Sequence, residues 1–368
     1  MLLLRRLFLP VLLLALMPPA SPRSLPHGLH AQYFPRLPAP VSNNAVAGLI
    51  IDNRPYIVSF NGLGKGRTYR DVQAATYVLD VTTRTWTTAG PVPGGVGRLA
   101  SAAAAVGKLA YVFGGYSVAG DGSEVSTPWT HSFDPVKHEF QVLQPIPVPV
   151  DDSVAVPYAD RFIFLISGWH DSSNVKLVQR YDTQTDSWEQ ATPIPGPAVF
   201  GHAGGVVGNR IVYCDGVTMR SQPDGSFGFS ASHECYLGII DTADSLRIDW
   251  QSIEAHPGPP RYRMASAGMT GKNSVLFIGG SRNPYNYNGI GYDGNPSEPS
   301  TGGLLFDLDS LEWQVLSQDN APTMDHRALV ALGNHWLTVG GMTGNQTVTD
   351  KVIAYDFVRT DKSSVQRR

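Results

Sequence analysis

The chain has 368 residues, 42% hydrophobic and 16% charged, with 38 glycines, 28 prolines and a net charge of −3. A charged fraction so far below the usual ~25%, beside abundant glycine and proline, excludes a helical bundle or coiled coil, and the apolar content excludes a disordered chain. The near-neutral balance offers no field for nucleic acid or an anionic membrane, and two cysteines exclude a disulfide scaffold or an all-cysteine zinc site.

In chain order, residues 1–20 read as a secretory signal. Arg5 and Arg6 supply its positive start, residues 7–17 its apolar stretch, and Ala20 and Ser21 the small residues after it. The apolar run is too short to span a bilayer as a helix. The expected mature chain is periplasmic or secreted, begins with a linker at 21–29, and has no membrane span after cleavage. Such a compartment permits disulfides. Cys214 and Cys235 lie 21 residues apart, and two readings stay open for them, a disulfide or two buried free thiols.

A repeat organises the rest of the chain. Six apolar runs each end in a small-residue–Gly pair, at Asn61-Gly62, Gly114-Gly115, Ser167-Gly168, Asp215-Gly216, Gly279-Gly280 and Gly340-Gly341. The second glycines are spaced by 53, 53, 48, 64 and 61 residues. A short β-branched and aromatic run closed by glycine reads as a buried strand ending in a tight turn. In phase with it, an Asp precedes an aromatic by six residues at Asp80/Trp86, Asp134/Phe140, Asp182/Trp188 and Asp307/Trp313, with a looser Asp241/Trp250. The Asp can bond its own turn, and the aromatic fills the space between neighbouring sheets. A third mark is the Pro-x-Pro at Pro91/Pro93, Pro145/Pro147 and Pro193/Pro195.

These marks resemble the kelch repeat, whose units are four-stranded blades of a β-propeller. The resemblance implies an all-β, six-bladed kelch β-propeller over 30–357, with a polar tail at 358–368. The last unit, ending at Tyr355-Asp356-Phe357, lacks its aromatic strand. Tyr33 stands five and seven residues before Pro38 and Pro40, the offsets found after Trp86, Phe140 and Trp188. Residues 30–40 are therefore expected to form the outer strand of the last blade, closing the ring by an N-terminal strand.

That topology puts the loops after the Gly pairs on one face with the segments that lead into each first strand. Loops on a rigid scaffold usually carry function, so this face is the expected binding site. Arg98, Arg263 and Arg327 lie in the leading segments; they either bind a carboxylate bidentately or pair with Asp151, Asp152 or Asp325 and fill the channel. His202 and His326 are candidates for acid–base work or for satisfied channel residues. After the glycines come Trp169 and His170, expected to sit exposed, and Arg220, an anion clamp or a solvated arginine. The insertion at 281–301 is rich in tyrosine and asparagine. Its Tyr285 and Tyr287 suit stacking on sugar faces as a lid, the alternative being a solvated loop.

Some patterns are declined. Residues 62–68 look like a phosphate loop, but no amphipathic helix succeeds them and the spacing fails. The ten histidines show no His-x3-His spacing, so neither metal nor cofactor is expected. Asn345-Gln346-Thr347 is a glycosylation sequon, meaningful in a host that glycosylates.

Within kelch proteins, the chain is similar to the periplasmic sialic acid mutarotase branch, which also combines a signal peptide, this length and six blades. The similarity rests on residues 95–115 with Arg98, the insertion after Gly280, and the ending from Gly340-Gly341 to Thr349-Asp350. That branch places a Glu soon after the Gly motif of its fourth blade. Here Val217 stands after Gly216 and the carboxylate is unmatched. The expected function is thus an extracytoplasmic propeller binding a small molecule or glycan, in particular carbohydrate. The alternatives are a sugar mutarotase using Arg220 with His170 or His202, and a propeller that binds an envelope protein.

Overall fold

A computed structural model describes residues 28–221, 225, 227–318, 321–333 and 335–358. The expected signal at 1–20 lies outside the described residues, as do all of the linker except Gly28 and Leu29 and all of the tail except Val358. Among the described residues no helix is long and apolar enough to cross a membrane.

The strands assemble into six four-stranded blades. Blade 1 comprises Ala45–Ile51, Arg54–Phe60, Thr76–Asp80 and Thr85–Ala89. Blade 2 comprises Ala102–Val106, Leu109–Phe113, Thr130–Asp134 and Glu139–Leu143. Blade 3 comprises Val154–Tyr158, Phe162–Ile166, Val178–Asp182 and Ser187–Ala191. Blade 4 comprises Ala203–Val207, Arg210–Cys214, Cys235–Ile240 and Ile248–Ile253. Blade 5 comprises Ala265–Met269, Ser274–Ile278, Gly303–Asp307 and Glu312–Gln318. Blade 6 takes Val330–Leu332, His335–Val339 and Val352–Val358 from the end of the chain and Gly28–Tyr33 from its start.

Each strand's composition follows from its distance to the axis. The six innermost strands converge, so they are rich in Ala, Gly and Val; a Cβ on Gly268 would fall 1.9 Å from the Val206 carbonyl oxygen of the neighbouring blade. The second strands are covered on both faces and read as continuous apolar runs. The outermost strands alternate and are mostly exposed. The core is not one mass but a set of apolar wedges, one between each pair of adjacent blades. A seventh cluster lies under the loops of one face.

The turn and aromatic marks do what their chemistry suggests. Asp80, Asp134, Asp241 and Asp307 each accept two backbone N–H bonds from their own turn. The indoles of Trp188, Trp250 and Trp313 each donate to a carbonyl of the preceding blade, at Gln144, Thr192 and Glu254. Each acceptor stands four residues after its own blade's outer-strand aromatic. Trp86 donates in the same way to Pro35, 2.8 Å away. The equivalent outer-strand position of blade 6 is therefore Ala31, which pairs with Tyr355 as Trp188 pairs with Tyr181.

The N-terminal strand does close the ring, but its register differs from the Pro-x-Pro reading by two residues. Tyr33 is 59% exposed, and Leu29 and Ala31 face the core. The proline offsets misled because the chain past Tyr33 does not turn as the other blades do. It stays bonded along residues 349–352, through Phe34, Leu37 and Val41. The same strand also pairs in parallel with the outer strand of blade 5, joining blades 5 and 6 into one eight-stranded sheet.

Candidate functional site

One face carries a six-fold motif. The residue after each Gly pair forms a backbone bridge to the segment leading into its own blade: Leu63 to Ser42, Tyr116 to Leu99, Trp169 to Asp151, Val217 to Phe200, Ser281 to Tyr262 and Met342 to Met324. Glycine is needed at the pair because the two segments touch. A Cβ on Gly115, at φ +82°, would lie 2.6 Å from the Leu99 carbonyl oxygen. The next residue of each leading segment takes positive φ: Asn43, Ala100, Asp152, Gly201, Arg263 and Asp325. Their backbones bond one to the next around the axis, with His326 N–H supplying the sixth link to the Arg263 carbonyl. The leading segments and post-glycine loops thus meet in a collar at the mouth of the channel.

The collar places charge on the axis. Arg263 donates Nε and Nη2 to the two oxygens of Asp152, at 3.2 and 2.5 Å, and Nη1 to Asp325 at 3.1 Å. Arg327 reaches Asp152 at 2.9 Å and Asn43 at 2.6 Å. All four charged side chains are buried, so two arginines and two aspartates form a neutral plug. Burial pushes the Asp152 carboxyl up, but Arg263 and Arg327 override it and hold it below its ordinary value.

Above the plug lies a cavity of about 320 Å³. Trp169, Phe200, Phe229 and Tyr292 make one wall, their rings in edge-to-face or tilted contact at 4.3 to 5.7 Å. Tyr116, Tyr287, Asn286 and Glu124 line other parts of it. Asp151, Asp152, Asp171 and Arg263 complete the lining. Asp151 is 3% exposed, accepts a 2.6 Å bond from Ser126 Oγ on Oδ2, and has no partner on Oδ1 among the described residues. Burial, then the neighbouring Asp152, raises its carboxyl well above the usual carboxylate range. Two adjacent aspartates are therefore shifted in opposite directions.

A larger cavity of about 430 Å³ opens where the innermost strands run out on the other face. Its lining is Ala, Gly and Val with few polar side chains, so it lacks the convergent polar groups of a binding site.

The sequence candidates divide. Trp169, Arg263 and Tyr287 line the first cavity. Arg98 does not: it is fully buried, donates to the Gly114 carbonyl at 2.9 Å and lies against Trp129, and burial lowers it to about 10. Its counterpart in blade 5 is Arg261, which donates likewise to Gly279, so this position ties a leading segment to its Gly pair. Arg327 belongs to the plug. Tyr285 is fully buried against Tyr262 and Arg263, as a support of the collar and not as part of a lid. His326 bonds Thr323 at 2.6 Å, and burial, with Arg327, lowers it to about 3. His202 is buried with both ring nitrogens unpartnered among the described residues, and burial lowers it to about 4. His170 is half-buried, 3.8 Å from Asp171. Arg220 is exposed on the hairpin Val217–Ser221 with Phe227–Ala231. Cys214 and Cys235 are cross-strand partners joined by a disulfide.

Glu124, Phe200 and Phe229 are not among the sequence candidates, because hairpins of different length carry Glu124 and Phe229 to the cavity, while Tyr292 comes from the tyrosine-rich insertion. Tyr116 and Trp169 share a detectable signal, an aromatic immediately after the Gly pair. Outside the cavity, Asp215, His233 and His256 bring ligand-type atoms within 4.8 Å of one another. His256 and Asp215 are paired there at 2.7 Å, fully buried. That trio is the set among the described residues able to hold a metal ion.

No family model matches the chain. It is similar to kelch-like protein 15 of Mus musculus, 22% identical over 69% of this chain and 40% of that protein. It is also similar to kelch domain-containing protein 3 of Rattus norvegicus, 28% identical over 50% of this chain and 49% of that protein. The chain thus spans less than half the length of these curated relatives. The solved structure of YjhT superposes with a TM-score of 0.68 at 18% identity, covering 91% of this chain and 99% of that one. Repeat marks, blade topology and these likenesses agree: the chain is a six-bladed kelch-repeat β-propeller.

Proposed function

We propose that this propeller binds a carbohydrate in the cavity on its post-glycine face, and that it works outside the cytoplasm. The observation carrying the reading is a continuous aromatic wall facing carboxyl and amide groups in a cavity of about 320 Å³. Aromatic faces take the C–H side of a sugar ring, and carboxylates with Asn286 meet its hydroxyls. The size falls in the usual small-molecule range of about 300–1,000 Å³. The Cys214–Cys235 disulfide supports an oxidising compartment.

Calorimetry and saturation-transfer NMR against a panel of monosaccharides test the reading. Trp169→Ala and Tyr287→Ala are each expected to weaken binding about tenfold, the loss of one stacked ring. Sugar affinity unchanged in both variants would remove the cavity from consideration.

A second reading, interconversion of sugar anomers, is favoured by Asp151. It keeps its proton into a range where Asp152 is ionised. Ring opening needs an acid of that kind, and groups pushed apart in pKa are where acid and base roles arise. Arg220 and His202, nominated from the sequence, do not line the cavity; Asp151 does. Exchange NMR should show faster anomer exchange with the native protein than with Asp151→Asn. No acceleration of any sugar that binds would leave a binding protein alone.

A further inference from the structure

Charge within the cavity narrows the ligand. Four carboxyl groups line it, from Glu124, Asp151, Asp152 and Asp171, and Arg263 is the one cation among the lining residues. Arg263 is already engaged by Asp152 and Asp325, which consume its donors toward the axis. Asp171 is partly satisfied by the Ser126 N–H at 3.0 Å and lies near His170. Glu124 and Asp151 make no direct ion pair among the described residues and have only the already engaged Arg263 as a more distant countercharge, and Asp151 leaves Oδ1 without a hydrogen-bond partner among them. One arginine is thus shared among four carboxyl groups on a surface otherwise made of π faces. Such a setting repels carboxylates and attracts cations, because ring faces carry negative quadrupole density and a buried carboxyl that keeps its proton when alone gives it up beside a cation.

We propose that the ligand carries a protonated amine, which sits between the aromatic wall and the carboxyl groups of Asp151 and Glu124. The inference rests on the carbohydrate reading and makes its ligand an amino sugar. A sugar acid is disfavoured, since Arg263, the one cation among the lining residues, is already paired with Asp152 and Asp325.

The test is calorimetry at constant ionic strength, below the amine pKa, with glucosamine, glucose, N-acetylglucosamine, glucuronate and tetramethylammonium as probes. Glucosamine is expected to bind about tenfold or more tighter than glucose, the size of a desolvated cation–π contact. N-Acetylglucosamine, which lacks the charge, should fall with glucose, and glucuronate should bind weakest. Glu124→Gln, at the exposed rim, and Asp151→Asn, inside, should each shrink the glucosamine advantage. Because Glu124 is at the surface, its variant reports even if Asp151→Asn folds poorly. Glucose binding as tightly as glucosamine, or glucuronate binding tightest, overturns the amine while leaving the carbohydrate reading in place. Binding of tetramethylammonium with no sugar bound keeps the cation site and overturns the carbohydrate reading. No binding by any probe overturns both.

Discussion

Asp151 and Asp152 are neighbours in sequence with opposite surroundings. Asp152 turns to the axis and meets two arginines, whereas Asp151 bridges to Trp169 and turns to the cavity with one serine hydroxyl. The consequence for stability has a sign. Asp151 is raised in the fold, so the native protein keeps that proton at pH values where the unfolded chain has lost it. It therefore favours folding in acid and subtracts stability as pH rises past the ordinary carboxylate range. Asp151→Asn should remove that loss, flattening the melting temperature between mildly acid and neutral pH; a variant that tracks the native profile in parallel would contradict the assignment. The plug behaves differently. Arg263→Met leaves Asp152 and Asp325 buried with only Arg327 between them, and breaking a buried pair costs about 3–5 kcal/mol. Urea unfolding should show that loss, and a native midpoint would mean that water relieves the two carboxylates. The sequence offers pairing with Asp152 or Asp325 as one of two fates for the arginines, and the structure gives it to Arg263 and Arg327. Arg98, Arg263 and Arg327 look alike in sequence, and one ties a loop to its Gly pair while the other two close the axis.

At the scale of elements, the closing strand and the blade-4 hairpin matter most. Leu29 is buried where blades 5 and 6 meet. Leu29→Ala should destabilise by about 2–5 kcal/mol, as for other fully buried leucines, whereas Tyr33→Ala, on the same strand but exposed, should cost little. Equal thermal shifts for the two would argue against the register given by Ala31 and Tyr355. The Cys214–Cys235 disulfide closes the base of the hairpin that carries Phe229 into the cavity. Replacing both cysteines by serine is expected to cost about 3 kcal/mol through the freed loop and to weaken sugar binding as Phe229 loses its anchor. Unchanged affinity would show that the hairpin is held by its aromatic contacts alone. The strands themselves were readable because each obeys local rules: apolar runs, a turn-making Asp, a glycine where segments touch. The insertion after Gly280 was not. Tyr285 and Tyr287 are two residues apart, yet one supports the collar and the other lines the cavity, since their directions depend on what the neighbouring blade presents.

At the scale of the whole molecule, the ring converts a repeated local pattern into one special place. A blade cannot cover both its faces, so six must stack, and the wedges between them form the core. Period, glycine pairs and the missing last strand sufficed to establish the blade number and the closure by the chain's start, because those properties depend on residues adjacent in sequence and on an unmet hydrogen-bonding edge. The face that carries the collar was also legible, from strand direction alone. What the cavity contains was decided by tertiary structure. Six leading segments from all parts of the chain meet on one axis, and the sign of the charge there depends on which arginines are spent on which aspartates. That pairing is long-range, from Asp152 to Arg263 and on to Asp325; the leading segments offer it as one alternative, and only the closed ring selects which arginine takes it.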